Sequence, residues 1–294
     1  SGFQDSAYLD GEIDILPTPE KKPPLDALID VIAAIEVDVQ VSGDAALAAL
    51  PATRRVGTKP FAVEGLNDNS GEWETPVAGR RYHAFQAGVQ LANRVGPLND
   101  IEFSEFVIKA QAFADAINGS PEFTDMLEEV ARARELDQFA SAHDAQLSFT
   151  LCASASAWSP GYIQQHAARL GFVAGVIPGR MVLPALQAGL PPVLSLTFDT
   201  QAAMADDPAL SAIREFTLSL DVPQIAREDQ PFERLRELAR LLAQDMDGVI
   251  TDGDGQILGE AALDQIAGDL RQLYDALDAR ELSAGSPQAR RLFS

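Results

Sequence analysis

The sequence predicts an α+β fold: a tandem repeat of two mostly antiparallel sheets, each with helices packed on one face. Several short segments alternate polar and apolar residues, which is typical of half-buried strands. Other segments repeat apolar residues every three or four positions, which is typical of amphipathic helices. The order of these segments over residues 26–141 recurs over residues 145–282. We therefore expect two similar domains, followed by a tail over residues 283–294.

Residues 1–25 are expected to form a flexible tether. They contain Pro17, Pro19, Pro23 and Pro24 among aspartate, glutamate and lysine residues. A segment with so few spaced apolar side chains buries too little surface to offset the entropy lost on ordering.

The first domain opens with a strand over residues 29–37 and a short helix over residues 43–50. Strand patterns then cover residues 59–66, 72–77 and 82–92. A longer helix follows, and its apolar stripe contains Phe103, Phe106, Val107, Ala110, Phe113 and Ile117.

A second helix of this domain is expected to start at Pro121. Ser120 can cap the helix with its side-chain oxygen, and the missing N–H of a proline costs nothing at the first helical position. In the opening strand, Ile32 and Ala34 are apolar and lie opposite Val31 and Ile35. This pattern fits a central strand that is buried on both faces. It also fits a strand whose second face is covered by a partner or by the sister domain.

The second domain starts with a strand over Gln146–Ala153 and a helix over residues 160–170, which Trp158 precedes. Strand patterns follow over residues 172–182, 193–199 and 215–223. Two amphipathic helices, over residues 232–246 and 263–277, flank a hairpin over residues 249–258. Asp-Gly pairs at the tip of this hairpin favour a tight turn. The hairpin has no counterpart in the first domain.

The tail carries Arg290, Arg291, Leu292 and Phe293, so it is basic and apolar on an acidic protein. Docking of the tail onto its own domain and fraying into solvent both remain open.

The net charge of −22, from 44 acidic and 22 basic residues, opposes binding to nucleic acid and to anionic lipid. It also suits a soluble protein or one that is steered toward a basic partner. The single cysteine, Cys152, excludes a disulfide within one chain and suggests a reducing compartment, with the cytoplasm as the default. No apolar run of the sequence is long enough to span a bilayer. Because the chain opens at Ser1, we expect that an upstream segment precedes it.

The residues that could carry chemistry do not form a catalytic or metal-binding pattern. His83, His143 and His166 are scattered without the short spacing that zinc ligands show. Cys152 lies within a strand pattern and is expected to be a structural thiol rather than a nucleophile. Asp252–Gly255 resembles part of a calcium-binding loop. If Gly255 takes the glycine position of that loop, however, Ile250 and Ala261 stand where the first and last calcium ligands belong. We therefore predict a protein that is not an enzyme, with no cofactor and no metal.

The second domain resembles the C-terminal FtsZ-binding domain of ZipA, a bacterial cell-division protein. The resemblance covers about residues 145–280 and rests on the order strand, helix, three strands, helix, hairpin, helix. Its fixed points are Gly171-Phe172 before the second strand, Val222-Pro223 after the last long strand and Gly248-Val249 at the hairpin. Residues 26–141 resemble a shortened and diverged copy.

This resemblance implies a division adaptor at the cytoplasmic side of the bacterial inner membrane. An N-terminal membrane helix, absent from this sequence, would anchor it through the tether. The globular part would hold the C-terminal tail peptide of FtsZ across the outward face of the sheet by apolar contacts.

The outward face of the second domain departs from that pattern because it is polar. The inward positions are apolar: Leu147, Phe149, Leu151, Leu194, Leu196, Phe198, Phe216, Leu218 and Leu220. The peptide-binding face would contain Ser148, Thr150, Ser195, Thr197, Thr217 and Ser219, with Cys152 beside them and Ile177 as its apolar candidate. Each apolar anchor removed from such a groove forgoes about 1.5–3 kcal/mol of burial. The face therefore binds a more polar ligand, or the contact surface lies in the first domain or at the junction. The first domain offers Gln86, Gly88 and Gln90 on its outward face, which is also polar.

Two other classes of protein stay open. A scaffold or dimerisation module, whose sheets pair with copies of themselves, would also need no catalytic residues. An enzyme with an unfamiliar site would show a deep cleft with two carboxylates or a Cys–His contact. The oligomeric state does not follow from the sequence.

Overall fold

The computed structural model describes residues 24–294, and most of the predicted tether lies outside this range. The first half contains, in chain order, β1 (Asp30–Ser42), α1 (Gly43–Ala49), β2 (Arg55–Val56), β3 (Lys59–Asn67), β4 (Trp73–Glu74), β5 (Arg81–Gln90), β6 (Ala92–Asn93), β7 (Gly96–Pro97), α2 (Asp100–Ala116), β8 (Gly119–Glu122) and α3 (Met126–His143). The second half contains β9 (Gln146–Ala153), α4 (Pro160–Arg169), β10 (Val173–Ala174), β11 (Arg180–Leu183), β12 (Leu194–Thr197), α5 (Thr200–Met204), β13 (Glu215–Asp221), α6 (Pro231–Met246), β14 (Gly248–Thr251) and α7 (Glu260–Ala279). The C-terminal tail carries α8 (Pro287–Leu292).

Residues 24–294 form two six-stranded antiparallel sheets and a two-stranded ribbon of β6 and β7. The strand order is β2-β3-β5-β1-β8 in the first sheet, where β4 also pairs with β3, and β10-β11-β12-β13-β9-β14 in the second. In both sheets, the opening strand of the half, β1 or β9, lies between a later long strand, β5 or β13, and a short edge strand, β8 or β14. The predicted tandem α+β fold is confirmed.

In each half, one long helix packs on the inner face of the sheet. In the first half, Phe113 of α2 contacts Phe85 of β5, with ring centroids 5.5 Å apart. In the second half, Phe232 of α6 and Phe149 of β9 have ring centroids 6.2 Å apart. In the described part of the chain, the buried apolar residues of both halves form one continuous cluster. Burial of this apolar surface is the main stabilising contribution to the fold.

The predicted inward positions of the second sheet form this core. The buried positions are Phe149, Leu151, Leu194, Leu196, Phe198, Phe216, Leu218 and Leu220, and Leu147 packs against them half-buried. Trp158 is also buried beside the start of α4, where its Nε1 donates to the Met246 carbonyl oxygen at 3.0 Å. The period-two interpretation of these strands is confirmed.

The expected helix start at Pro121 is wrong. Ser120 and Pro121 lie in β8, where Pro121 pairs with Ile35 of β1. The helix α3 instead begins at Met126, after Asp125 as N-cap. Because β8 is an edge strand, a proline there removes no hydrogen bond that the sheet needs. β8 occupies the position that β14 has in the second sheet, so the first half does contain a counterpart to the first strand of the predicted hairpin.

Equivalent corners precede these two edge strands. Asn118-Gly119 follows α2 and Asp247-Gly248 follows α6. Asn118 and Asp247 have φ angles of 56° and 53°. Among residues with a Cβ atom, Asn and Asp adopt this left-handed conformation most readily.

Two other strand predictions change in detail. Residues 172–182 form a hairpin of β10 and β11 rather than one strand, because the chain turns at Pro178 and Gly179. In this turn, the Arg180 amide donates to the Ile177 carbonyl oxygen at 3.1 Å, and Gly179 has a φ of 84°. In β1, Ala34 is exposed and Ile32 half-buried, so within this chain the strand is not buried on both faces.

The C-terminal tail docks between the two halves. Leu292 and Phe293 are both 1% exposed. Gln224 of the second half donates to the carbonyl oxygens of Arg290 and Phe293, and the Arg94 amide of the first half donates to Ser294. The tail is therefore docked rather than frayed, and it contacts both halves rather than the second domain alone.

Candidate functional site

The predicted polar face of the second sheet exists and is continuous across three strands. Antiparallel register places Ser195, Ser219 and Ser148 side by side in one row and Thr197, Thr217 and Thr150 in the next. We call these six residues the hydroxyl face. Ser148 and Thr197 are exposed and the other four are half-buried. Ile177 is not part of this array, because it lies in the turn between β10 and β11, where it is 53% exposed.

Arg180 extends the hydroxyl face at one end. It pairs with Thr197 across β11 and β12, so its side chain leaves the sheet on the same side. A cavity of about 370 Å³ opens there, lined by Arg180, Ser195, Ser219 and Ser148 and walled by the loop residues Pro191 and Pro192. The cavity therefore combines hydroxyl groups with the guanidinium of Arg180 and the carboxylate of Asp221.

The ends of β9 and β13 that border this cavity are fixed to the first half by Arg94. Its guanidinium donates to the carboxylates of Asp221 and Asp144, with N–O distances of 2.7–3.0 Å. The hydrogen bonds that Arg94 donates to Asp221 and then to Asp144 raise the pKa of Arg94. The bridge holds the ends of β9 and β13, which carry two of the three residues of the serine row, in place.

At the other end of β9, Cys152 lies next to acidic and hydroxyl groups. Its Sγ is 4.0 Å from Glu215 Oε2 and 3.7 Å from Thr251 Oγ1. Cys152 is half-buried between these two polar side chains.

The histidines take part in separate local contacts. His83 contacts Asp68, His143 stacks on Phe139 with centroids 4.2 Å apart, and His166 packs edge-on against Tyr162. Within residues 24–294, no group of three His, Cys, Asp or Glu residues is placed to hold a metal ion. The chemistry that the hydroxyl face offers is hydrogen bonding.

The outward face of the first sheet is partly covered by other parts of the chain. Leu25 packs over Gly88, where an added Cβ would lie 2.5 Å from Leu25 Cδ2. Gln90 is buried and donates to the Arg291 carbonyl oxygen at 2.8 Å. Part of this polar face, including Gln90, therefore contacts the C-terminal tail.

The sequence interpretation missed Arg180 and the cavity beside it. The sequence does indicate that Arg180 faces outward, because Arg180 and Val182 alternate with the buried Met181 and Leu183. The interpretation of residues 172–182 as one strand obscures this alternation, because the turn at Gly179 changes which residues face outward.

Comparison with known proteins adds no family. No protein-family model and no curated protein matches the sequence. A solved structure of a berberine bridge enzyme variant is 10% identical, with a TM-score of 0.18, over 90% of this chain and 56% of that chain. This chain spans little more than half of that enzyme's length, and a TM-score so low carries no argument. None of the helices in residues 24–294 is long and apolar enough to cross a membrane.

Proposed function

We propose that this chain is a ZipA-like cell-division adaptor that binds the C-terminal tail peptide of FtsZ on the hydroxyl face. In this proposal, an upstream anchor links the complex to the cytoplasmic side of the inner membrane. The observation that carries it is an outward sheet face that stays accessible in the half that resembles the FtsZ-binding domain. No catalytic chemistry is part of the proposal.

The chemistry of the face defines how such a peptide would bind. A hydrogen bond contributes about 0.5–1.5 kcal/mol net, whereas a buried apolar anchor contributes about 1.5–3 kcal/mol. A peptide on the hydroxyl face would therefore be held mainly through its backbone and polar side chains. Arg180 would attract a carboxylate of the peptide toward the cavity end of the face.

The proposal predicts that Thr217→Arg weakens binding of the FtsZ tail peptide at least about tenfold. Thr217 lies at the centre of the threonine row, so a long cationic side chain there would obstruct the peptide. The measurement is fluorescence anisotropy of a labelled tail peptide titrated with the full chain, at low and at physiological salt. Thr124→Arg, at an exposed position of the first half, is the matched control and is expected to bind like the wild type.

Two results would count against this proposal. Equal affinity of the wild type and the Thr217→Arg variant would move the peptide away from the hydroxyl face. No binding of the tail peptide to any of the proteins would remove FtsZ as the partner.

A second candidate is a scaffold that self-associates through the second sheet. The observation that favours it is the edge strand β10 with its turn, where Val173 is 49% exposed and Val176 and Ile177 are exposed beside it. Apolar side chains next to an unpaired edge favour pairing with another strand. Light scattering over a range of protein concentrations tests this candidate, and a monomer at every concentration would contradict it.

A further inference from the structure

A second cavity lies on the outward side of the first sheet, between β3 and α8. Its volume is about 480 Å³, within the usual range of about 300–1,000 Å³ for ligand sites. Part of its wall is apolar and consists of Pro60 and Ala62 of β3, Leu25 and Pro287. Pro60 and Pro287 are exposed, and Ala62 and Leu25 are half-buried, so this wall is open to another segment. We call the cavity the β3 cleft.

The sheet has a gap at the β3 cleft. β2 pairs with β3 up to Pro60, and β4 pairs with the same side of β3 from Gly65 onward. Within residues 24–294, no strand pairs with residues 62–64 on that side. Arg54, just before β2, and Thr75, just after β4, both line the cleft. The cleft therefore lies at this unpaired part of the β3 edge.

Val63 directs its backbone groups into this gap. Successive residues of an antiparallel strand bond alternately to one neighbour and to the other. The Phe61 amide donates away from β5, to the Arg54 carbonyl oxygen at 2.9 Å. Because pairing with β5 is regular from Phe61 to Gly65, the N–H and C=O of Val63 also point away from β5. Val63 lines the cleft, so these groups can bond the backbone of an extended segment there.

The described part of the chain begins at the wall of the same cleft. Leu25 is one of the lining residues, and its backbone N–H donates to Glu64 Oε2 at 3.3 Å. The Pro24 carbonyl oxygen accepts from the Arg291 guanidinium at 3.4 Å. Residues 1–23 therefore join the first half directly beside the cleft.

Residues 12–16, Glu-Ile-Asp-Ile-Leu, have the pattern that suits this site. They alternate acidic and aliphatic side chains, which is typical of a strand, and they are the aliphatic stretch nearest to Pro24. Residues 17–23 connect them to Pro24 and can span up to about 25 Å, which is enough to turn back to the cleft. Linkage by a short connection gives an effective concentration of about 1 mM, so even a contact with a millimolar dissociation constant is populated.

We propose that residues 12–16 of this chain dock in the β3 cleft as a short extended segment. The N–H and C=O of Val63 bond the backbone of the segment, and Ile13 and Ile15 pack on the apolar wall. The part of the chain that can act as a tether then ends upstream of Glu12. The site is distinct from the hydroxyl face of the second sheet, and it does not depend on the FtsZ assignment.

The first test measures disulfide formation in the full chain with Cys152→Ser, which removes the single native cysteine. Ile15→Cys is combined with Ala62→Cys on the cleft wall. The matched control combines it with Ala34→Cys, an exposed position on the same face of the sheet and two strands away. The 15–62 disulfide is expected to form at least about tenfold faster than the 15–34 disulfide, because the two Cβ atoms must approach within about 4 Å.

Further substitutions in the protein with cysteines at positions 15 and 62 test which residues dock. Ile13→Ser with Leu16→Ser is expected to slow disulfide formation to the rate of the 15–34 control. Phe3→Ser with Leu9→Ser makes the same kind of change outside residues 12–16 and should leave the rate unchanged.

A second measurement follows the backbone bonds without any introduced cysteine. Replacing Ile13, Ile15 and Leu16 by serine is expected to speed hydrogen exchange of the Val63 amide about tenfold or more, as measured by NMR. The Ala62 amide points toward β5 and serves as the internal control, because its exchange should not change.

Several outcomes would overturn the proposal. Equal rates for the 15–62 and 15–34 disulfides, or unchanged exchange of the Val63 amide, would exclude docking of residues 12–16. Slower disulfide formation with Phe3→Ser and Leu9→Ser would assign the cleft to another part of residues 1–23. Disulfide-linked dimers in place of a linked monomer would identify the segment of a second copy as the occupant.

Discussion

At the scale of single residues, Glu102 shows how one buried carboxylate joins separate parts of the first half. Its Oε2 accepts from the backbone N–H of Thr58 at 3.0 Å, and its Oε1 accepts from Lys59 Nζ at 3.4 Å and from the Asn99 amide at 3.3 Å. Lys59 is 1% exposed and Glu102 7% exposed. The start of α2 is therefore tied to the turn between β2 and β3 by a buried ion pair.

Replacing Lys59 by methionine is expected to lower the free energy of unfolding by about 3–5 kcal/mol, because it leaves a buried carboxylate without its cation. The double variant Lys59→Met with Glu102→Gln should be destabilised less, since it removes both charges. Urea denaturation of the three proteins measures these differences. A double variant less stable than the single variant would show that the pair is not held in a buried, low-dielectric environment.

At the scale of elements, the helix-to-strand corners at Asn118 and Asp247 set where the edge strands begin. Both residues have a positive φ, which permits the chain to leave the helix and enter β8 or β14 within two residues. A β-branched residue in this conformation costs about 1–2 kcal/mol, and glycine has no such cost.

We therefore expect Asp247→Val to lower the free energy of unfolding by at least about 1 kcal/mol and Asp247→Gly to leave it nearly unchanged. The comparison with glycine isolates the backbone conformation, because both substitutions remove the carboxylate. Urea denaturation followed by circular dichroism is the measurement. Equal stabilities of the two variants would contradict a conformational role for this corner.

Most long elements could be predicted from the sequence because their burial follows a simple period. The alternation in β9, β12 and β13 was enough to separate the core from the hydroxyl face. β8 was missed because Ser120-Pro121 is also a good helix start, and what decides its structure is pairing with Ile35, 86 positions earlier in the chain. Short-range signals do not contain such a contact.

The two cavities could not be predicted for the same reason. The cavity of about 480 Å³ on the outward side of the first sheet is lined by Leu25, by residues of β3 and by the C-terminal tail, which are far apart in sequence. The cavity beside the hydroxyl face depends on the turn at Gly179, which brings Arg180 next to Thr197. Sequence periodicity gives the face of a strand on which a residue lies, and tertiary packing decides what covers that face.

At the scale of the whole molecule, the C-terminal tail holds the two halves in one arrangement. The Gly285 amide donates to the Pro223 carbonyl oxygen in the second half, and Arg291 binds Asp30 in the first half. Arg94 and Arg280 add bridges between the halves, to Asp221 and to Glu135. These two are partly exposed ion pairs and contribute little individually, so the buried side chains of the tail are the main link.

Phe293→Ala is therefore expected to lower the free energy of unfolding by about 3–5 kcal/mol, the usual cost of removing a buried phenylalanine. It should also separate the unfolding of the two halves, because the contact that couples them is lost. Trp158 is buried in the second half and Trp73 lies on the surface of the first. In a Trp73→Phe background, fluorescence then follows the second half while circular dichroism follows both. Coincident transitions for the parent and distinct transitions for the Phe293→Ala variant would establish the tail as the coupling element.

Leu210→Ala, at a position that is 69% exposed, serves as the control. It should change neither the free energy of unfolding nor the agreement between the fluorescence and circular dichroism transitions. If the Phe293→Ala variant kept a single transition within about 0.5 kcal/mol of its parent, the ion pairs at Arg94 and Arg280 would have to couple the halves instead.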